Sequence, residues 1–340
     1  MIEFFAEYGL FLLKTVTIVA AIVIIIGTAA AAGKKASHHE GLEIENLNKK
    51  YQELASALKH AVMNKADWKK EHKAEKQRDK AEAKSDETRP RGFVIDFKGD
   101  LKASAVPSLR EEVSAILEVA TADDQVVVRL DNHGGVVHEH GLAASQLVRI
   151  REKGIPLIVS VDKVAASGGY LMACVADKII AAPFAILGSI GVIAQLPNFN
   201  RLMDSHGIDF EQVTAGKYKR NVTMFGVNTD EDRAKLKEEL EDVHRLFTGA
   251  VGKYRPNLDL EKVTTGEHWY GTHALELGLA DEIKTSDELL AELAKDRDLY
   301  RVTYKIKQPL QKRLMGGVDG VLENVDNVGW RRHFETRLPR

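Results

Sequence analysis

An α/β fold built around a parallel sheet is the prediction for most of this 340-residue chain. Three observations carry it. Short apolar strands alternate with helix-patterned segments from Phe93 to Ala182, an order that implies right-handed crossovers with helices on the sheet faces. Glycine-rich turns follow two of these strands at their carboxyl ends, where sites form in such sheets. Apolar residues make up 44% of the chain and charged residues 29%. That balance supports a sizeable core and excludes wholesale disorder, a collagen-like fibre and a multi-pass membrane protein.

The elements follow in chain order. From Thr15 to Ala32 there are eighteen residues without a charge, preceded by the apolar run Leu10–Leu13. At about 1.5 Å per residue the stretch nearly matches a hydrocarbon core of ~30 Å, so residues 1–33 are expected to form a transmembrane anchor. A cleaved signal peptide is the rival, but such peptides open with positive charge, and the leading charges here are Glu3 and Glu7. Residues 34–91 hold 15 Lys and Arg against 11 Asp and Glu. This bias favours a cytoplasmic body, with periplasmic placement left open because long domains cross regardless. The same segment lacks proline and glycine from Leu42 to Arg89 and carries a narrow apolar stripe at Leu47, Tyr51, Leu54, Leu58 and Val62. A solvated, basic helical stalk is expected, ahead of a self-associating or lipid-lying helix.

The body spans 92–300. Strands are expected at Phe93–Phe97, Val126–Leu130, Leu157–Val161 and Lys178–Ala182, separated by helices at Val106–Ala120, Glu139–Lys153 and Gly168–Ala176. A strand at Phe210–Thr214, a long charged helix over Asp230–Tyr254, and a closing strand and helix near Leu279–Ile283 and Asp287–Ala294 complete it. The apolar run Ile179–Ala194 is broken by Pro183, Gly188 and Gly191, so it reads as buried strands and turns, not as a second span. Residues 301–340 form a C-terminal tail with Leu310, Leu314, Val318 and Leu322 at helical steps.

Chemistry concentrates at the turns. Val164-Ala165-Ala166-Ser167-Gly168-Gly169-Tyr170 follows a strand and opens a helix. A serine there, with small neighbours and an unobstructed Gly168 N–H, suits acyl transfer, in which negative charge develops on the attacked carbonyl oxygen. An N-cap serine before a glycine turn is the plainer reading. Asp131-Asn132-His133-Gly134-Gly135 ends the neighbouring strand and could aim further N–H groups at the same place. Serine needs a base. His133, His138 and His140 are candidates, as are Lys217 and Lys219 in Thr214-Ala215-Gly216-Lys217-Tyr218-Lys219-Arg220, provided the amine is neutral. The three histidines lack a spaced acidic partner for a metal and read as solvated loop residues. The lone cysteine, Cys174, excludes an internal disulfide framework and reads as packing. There is no phosphate loop or dinucleotide fingerprint, so no cofactor or metal is expected. The net charge of −2 argues against nucleic acid as a general partner.

Together, the anchor, the basic stalk, Ala165-Ala166-Ser167-Gly168-Gly169-Tyr170, Gly188-Ser189-Ile190-Gly191, Ala215–Arg220 and Thr265-Gly266-Glu267-His268-Trp269-Tyr270-Gly271 resemble the SohB-type membrane serine proteases, relatives of signal peptide peptidase A. The resemblance implies a ClpP/crotonase-like core and a serine endopeptidase of the bacterial inner membrane that uses a Ser–Lys dyad. Ser167 matches the nucleophile, Lys219 the general base and Ser189 the residue that orients it. Gly134 and Gly168 match the oxyanion-hole donors. Peptide substrates, a bilayer contact through the N-terminal helix and a homo-oligomer are implied with them, and signal peptides or other membrane-released fragments are the expected substrates. One departure stands out: the family commonly has Ser-Pro-Gly-Gly where this chain has Asn132-His133-Gly134-Gly135. An acyl-CoA enzyme on the crotonase-like architecture and a non-catalytic membrane scaffold are the alternatives.

Overall fold

The computed structural model describes residues 9–19, 41–82 and 89–306. The chain divides into two units, one of residues 1–41 with 305–340 and a larger one of Leu42–Tyr304. In the first, helix α1 (residues 9–19) is exposed along its length, and the hydroxyls of Thr15 and Thr17 donate to the carbonyls of Phe11 and Leu13. Among the described residues, no helix is long and apolar enough to cross a membrane. Most of the expected span from Thr15 to Ala32 lies outside the described residues, as does the tail beyond 306.

The larger unit opens with β1 (Gly41–Asn46), α2 (Leu47–Val62) and α3 (Lys65–Glu82). The βα alternation follows as β2 (Arg91–Lys98), α4 (Val106–Val119), β3 (Gln125–Asp131), α5 (Val137–Glu152) and β4 (Leu157–Val161). Next come β5 (Val164–Ala166), α6 (Gly168–Ala173), β6 (Lys178–Ala181), β7 (Ile186–Gly188) and α7 (Asn200–Ser205). The chain closes with α8 (Asp230–Tyr254), α9 (Leu260–Val263), β8 (His268–Tyr270), α10 (Gly271–Glu276), β9 (Glu282–Ile283), α11 (Ser286–Leu293) and β10 (Asp298–Lys305).

Seven strands form one sheet in the order β1-β10-β2-β3-β4-β6-β9, and β5-β7-β8 form a second. From β10 to β9 every neighbour pair of the large sheet is parallel. In the small sheet, β5 and β7 are parallel and β7 and β8 antiparallel. The fold is therefore α/β with mostly parallel strands. Both faces of the large sheet are covered, which is why its central strands read as nearly continuous apolar runs. Ile95, Val128, Leu130 and Val159 point into the main core with Leu109 and Val113 of α4 and Leu147 and Ile150 of α5. The opposite face presents Val94, Val127, Ile158 and Ile180 to Leu289 and Leu290 of α11 and to Leu47 and Tyr51 of α2.

That second contact limits the expectation of a solvated stalk to its later part. Only the start of α2 packs on the sheet, with Leu54, Leu58 and Val62 exposed, and Asn48 fastens it: its amide donates to the carbonyls of Ala294 and Arg297, while its oxygen accepts from the N–H of Leu299. The single long helix expected over this segment is also interrupted. Met63 takes an extended conformation, and the Asn64 side chain accepts from the N–H groups of Ala66 and Asp67, starting α3 afresh. Two further expectations change. Phe210–Thr214 is not a strand; with Phe210 and Val213 exposed it has no ladder partner among the described residues. β10 runs through the expected division at residue 300, inserted beside β2.

Candidate active site

The small sheet delivers the site. β5 ends at Ala166 and β7 at Gly188, and these two residues are register partners in a parallel ladder. Ser167 and Ser189 therefore leave neighbouring strands at the same level, where strands lie about 4.8 Å apart. Both serines have a φ of +51°, rare for a residue with a side chain. With ψ at −118°, Ser167 makes a sharp strand-to-helix elbow of the kind that lifts a nucleophile clear of its sheet. Its N–H donates to the Gly188 carbonyl at 2.8 Å, and that of Ser189 to the Glu267 carbonyl at 2.6 Å. Strain of this kind persists only where the surroundings over-determine it, and it clusters at functional sites. Ser167 itself is partly exposed, whereas Gly168, Gly169 and Tyr170 behind it are buried.

Backbone donors surround the elbow. Gly168 begins α6, and among the described residues its N–H has no acceptor. The loop after β3 lies directly against it: a Cβ on Gly134 would stand 2.8 Å from the Gly168 nitrogen and 2.8 Å from the Ser167 Cβ. With φ at +86° as well, that position requires glycine. The Gly134 N–H is engaged, donating to Asn132 Oδ1 at 2.9 Å. The Gly135 N–H has no acceptor among the described residues.

The structure brings Ser167, Gly168, Gly134 and Ser189 together, and it does not bring Lys219 to them. Lys219 is exposed, its N–H donates to the Gly216 carbonyl at 3.2 Å, and among the described residues its amine makes no hydrogen bond with Ser167. Lys217 is better tied. Its ammonium lies 5.0 Å from the centre of the Tyr218 ring and 2.9 Å from Glu231. The Tyr218 hydroxyl and the Glu231 carboxylate hold its pKa above the ordinary lysine range.

The histidines part company. His138 is exposed beside Glu139 at 3.7 Å. His140, expected in a solvated loop, is fully buried in α5; its imidazole nitrogens face the Val136 carbonyl at 3.0 Å and Asn132 Oδ1 at 3.2 Å. Sequence reasoning weighed His140 only as a base or a solvated loop residue and Asn132 only as a departure from the family pattern, and it missed the contact between them. The signals were present: Asn132 stands two residues before Gly134, the spacing of an Asx turn. His140 shares helical spacing with Ala143, Ala144 and Leu147, all buried. Cys174 is packing as expected, its thiol pushed up to about 12 by burial.

Comparison with known proteins places the chain in a family. Residues 3–147 match the model of the peptidase family S49 N-terminal region, and residues 149–300 that of peptidase family S49. The chain is 45% identical over 319 residues to "Probable protease SohB" of Haemophilus influenzae, covering 90% of each chain. It is 45% identical over 326 residues to "Probable protease SohB" of Buchnera aphidicola subsp. Schizaphis graminum, covering 94% of each. A solved structure of the 1510-N membrane-bound stomatin-specific protease in complex with a substrate peptide aligns at 12% identity with a TM-score of 0.42, over 68% of this chain and 99% of that one.

Proposed function

The chain belongs to peptidase family S49 and is a serine peptidase, and from that premise we propose that Ser167 is its nucleophile and Lys219 its general base, on a ClpP/crotonase-like core. The observation that carries the reading is the strained Ser167 elbow, with the unclaimed Gly168 N–H beside it. The Ser167 hydroxyl attacks the peptide carbonyl while the uncharged Lys219 amine takes its proton. The amine then returns that proton to the leaving nitrogen, and a water activated in the same way hydrolyses the acyl-enzyme. Ser189, at the level of Ser167 on the neighbouring strand, orients the amine. Gly168 supplies one donor to the oxyanion and the glycine pair the other. Of that pair, Gly134 is the one that lies against Gly168 and Ser167; its N–H is donated to Asn132, while the Gly135 N–H has no acceptor among the described residues.

Delivery of Lys219 is the step that remains for assembly. The segment around it exposes apolar side chains to an unusual degree, Val213 at 97% and Val227 at 73%, and a homo-oligomer that covers them would order Lys219 towards Ser167. The N-terminal apolar stretch anchors the enzyme in the bacterial inner membrane, with the lysine-rich flank favouring a cytoplasmic body. Extended peptides released from membranes, spent signal peptides among them, are the substrate class.

The test is hydrolysis of peptides and of acyl thioesters by the full chain and three variants. Ser167→Ala and Lys219→Ala are expected to lose peptide hydrolysis by at least about a thousandfold, with Lys217→Ala retaining most of it. Undiminished activity in Lys219→Ala would remove the base assignment. Thioester turnover that survives Ser167→Ala would support an acyl-CoA enzyme instead.

A further inference from the structure

The departure from proline in the glycine loop leaves a mechanical question: what holds the loop in place. In this chain Asn132 is its fixed point. It is fully buried, its N–H donates to the Val164 carbonyl and its carbonyl accepts from Ala166. The residue therefore locks the end of β3 to the strand that ends in Ser167. Glycines crowd it on two sides, since a Cβ on Gly99 would stand 2.4 Å from the Asn132 side chain and one on Gly169 would stand 2.2 Å from its carbonyl oxygen. Its amide nitrogen lies 3.3 Å from Met172 Sδ. Its Oδ1 closes the turn by accepting the Gly134 N–H at 2.9 Å.

That side chain has one further neighbour. The His140 Nε2 stands 3.2 Å from Asn132 Oδ1. The same side chain lies against the start of the nucleophile's helix, where a Cβ on Gly168 would come within 2.5 Å of His140 Cγ and 2.7 Å of Cδ2. One imidazole thus touches the carriers of both halves of the oxyanion site. We propose that His140 is a positioning residue for the oxyanion hole: it holds the Asn132 amide that closes the His133–Gly135 turn and props Gly168 from behind. The inference rests on the peptidase reading above and deepens it by naming what sets the donors. The bond to Asn132 needs the proton on Nε2, and a ring without it holds the amide from one side only. Both ring nitrogens face oxygen acceptors, Nδ1 the Val136 carbonyl and Nε2 Asn132 Oδ1, and a neutral imidazole carries a single N–H, so a neutral ring that donates to Asn132 leaves Nδ1 without a proton for the carbonyl. Burial lowers the pKa of His140 and the Val136 carbonyl pulls the other way. His140 touches neither the substrate nor the nucleophile's hydroxyl; it acts through Asn132 and Gly168.

The experiment uses the full chain with His140→Phe, His140→Gln, Asn132→Ala and the pair of double variants, measuring kcat and KM on one peptide together with thermal melting. His140→Phe keeps ring volume and removes both nitrogens. Its kcat is expected to fall by about tenfold or more with KM within roughly twofold, the pattern of lost transition-state stabilisation. His140→Gln, which restores a donor, should recover most of that loss. Added to Asn132→Ala, either His140 substitution should cost little more, because the two act in series. Wild-type kcat in His140→Phe, or losses that multiply in the double variants, would overturn the proposal. Should His140→Phe fail to fold, His140→Leu, which also removes both nitrogens, alone and with Asn132→Ala, decides by the same rule. Persistence of hydrolysis in Ser167→Ala is a separate outcome, and it would strike the peptidase site itself.

Discussion

At Ser167 the chain holds a side chain where glycine is the natural occupant: φ is +51° and ψ −118°. Such a residue costs on the order of 1–3 kcal/mol. Ser167→Gly is therefore expected to abolish turnover while melting at or a few degrees above wild type, whereas Ser167→Ala keeps the strain and melts like wild type. A clearly lower melting temperature for Ser167→Gly would argue against stored strain. Glu112 makes a second prediction. Burial drives its carboxyl up to about 7, opposed by the Tyr304 N–H that donates to it at 2.8 Å and aided by the charge of Asp96. The folded state thus holds a proton that the unfolded chain gives up near pH 4.5, so its contribution is complete below that pH and is lost as pH rises through 7. Glu112→Gln keeps an oxygen for Tyr304 and removes the titration. The variant should gain stability over wild type between pH 4.5 and 8, by up to roughly 3 kcal/mol; a stability difference independent of pH would contradict the assignment. The turn at Ser167 and Gly168 was legible as small residues between a strand and a helix, but a capping serine fits the same pattern, and their roles came from the resemblance. The sequence could not reveal that Asn132 engages the Gly134 N–H, since that depends on one torsion angle.

Among the elements, α2 shows where periodicity misleads. Leu47 and Tyr51 belong to the apolar stripe legible in the sequence, and they do face the sheet, whereas Leu54, Leu58 and Val62 farther along stay exposed. A stripe reports that a face is apolar and not what covers it. The fastening comes from a polar residue, Asn48, which no periodicity singles out. Asn48→Ala leaves three backbone groups of Ala294, Arg297 and Leu299 without their partner and should lower unfolding stability by about 1–3 kcal/mol in denaturant titration. A change below a few tenths would show that α2 is only loosely laid on the body. The expected strand at Phe210–Thr214 failed for the opposite reason: its residues have strand character, yet a strand exists only beside another, and among the described residues none pairs with it. β10 escaped notice because Asp298–Lys305 mixes charged and apolar residues at the rim of a covered sheet.

For the whole molecule, the alternation of strand and helix was legible because a parallel sheet covered on both faces leaves its central strands almost entirely apolar. What stays hidden at this scale is how Lys219 would reach Ser167: among the described residues the two share no hydrogen bond, and the proposal leaves their meeting to assembly. The central claim concerns the serine. Treating the full chain with a serine-reactive phosphonate and mapping the adduct by peptide mass spectrometry tests it most directly. The account predicts one modified residue, Ser167, with labelling lost in Lys219→Ala and retained in Lys217→Ala. An adduct on another residue, or no adduct on an enzyme that still cleaves peptides, would contradict it.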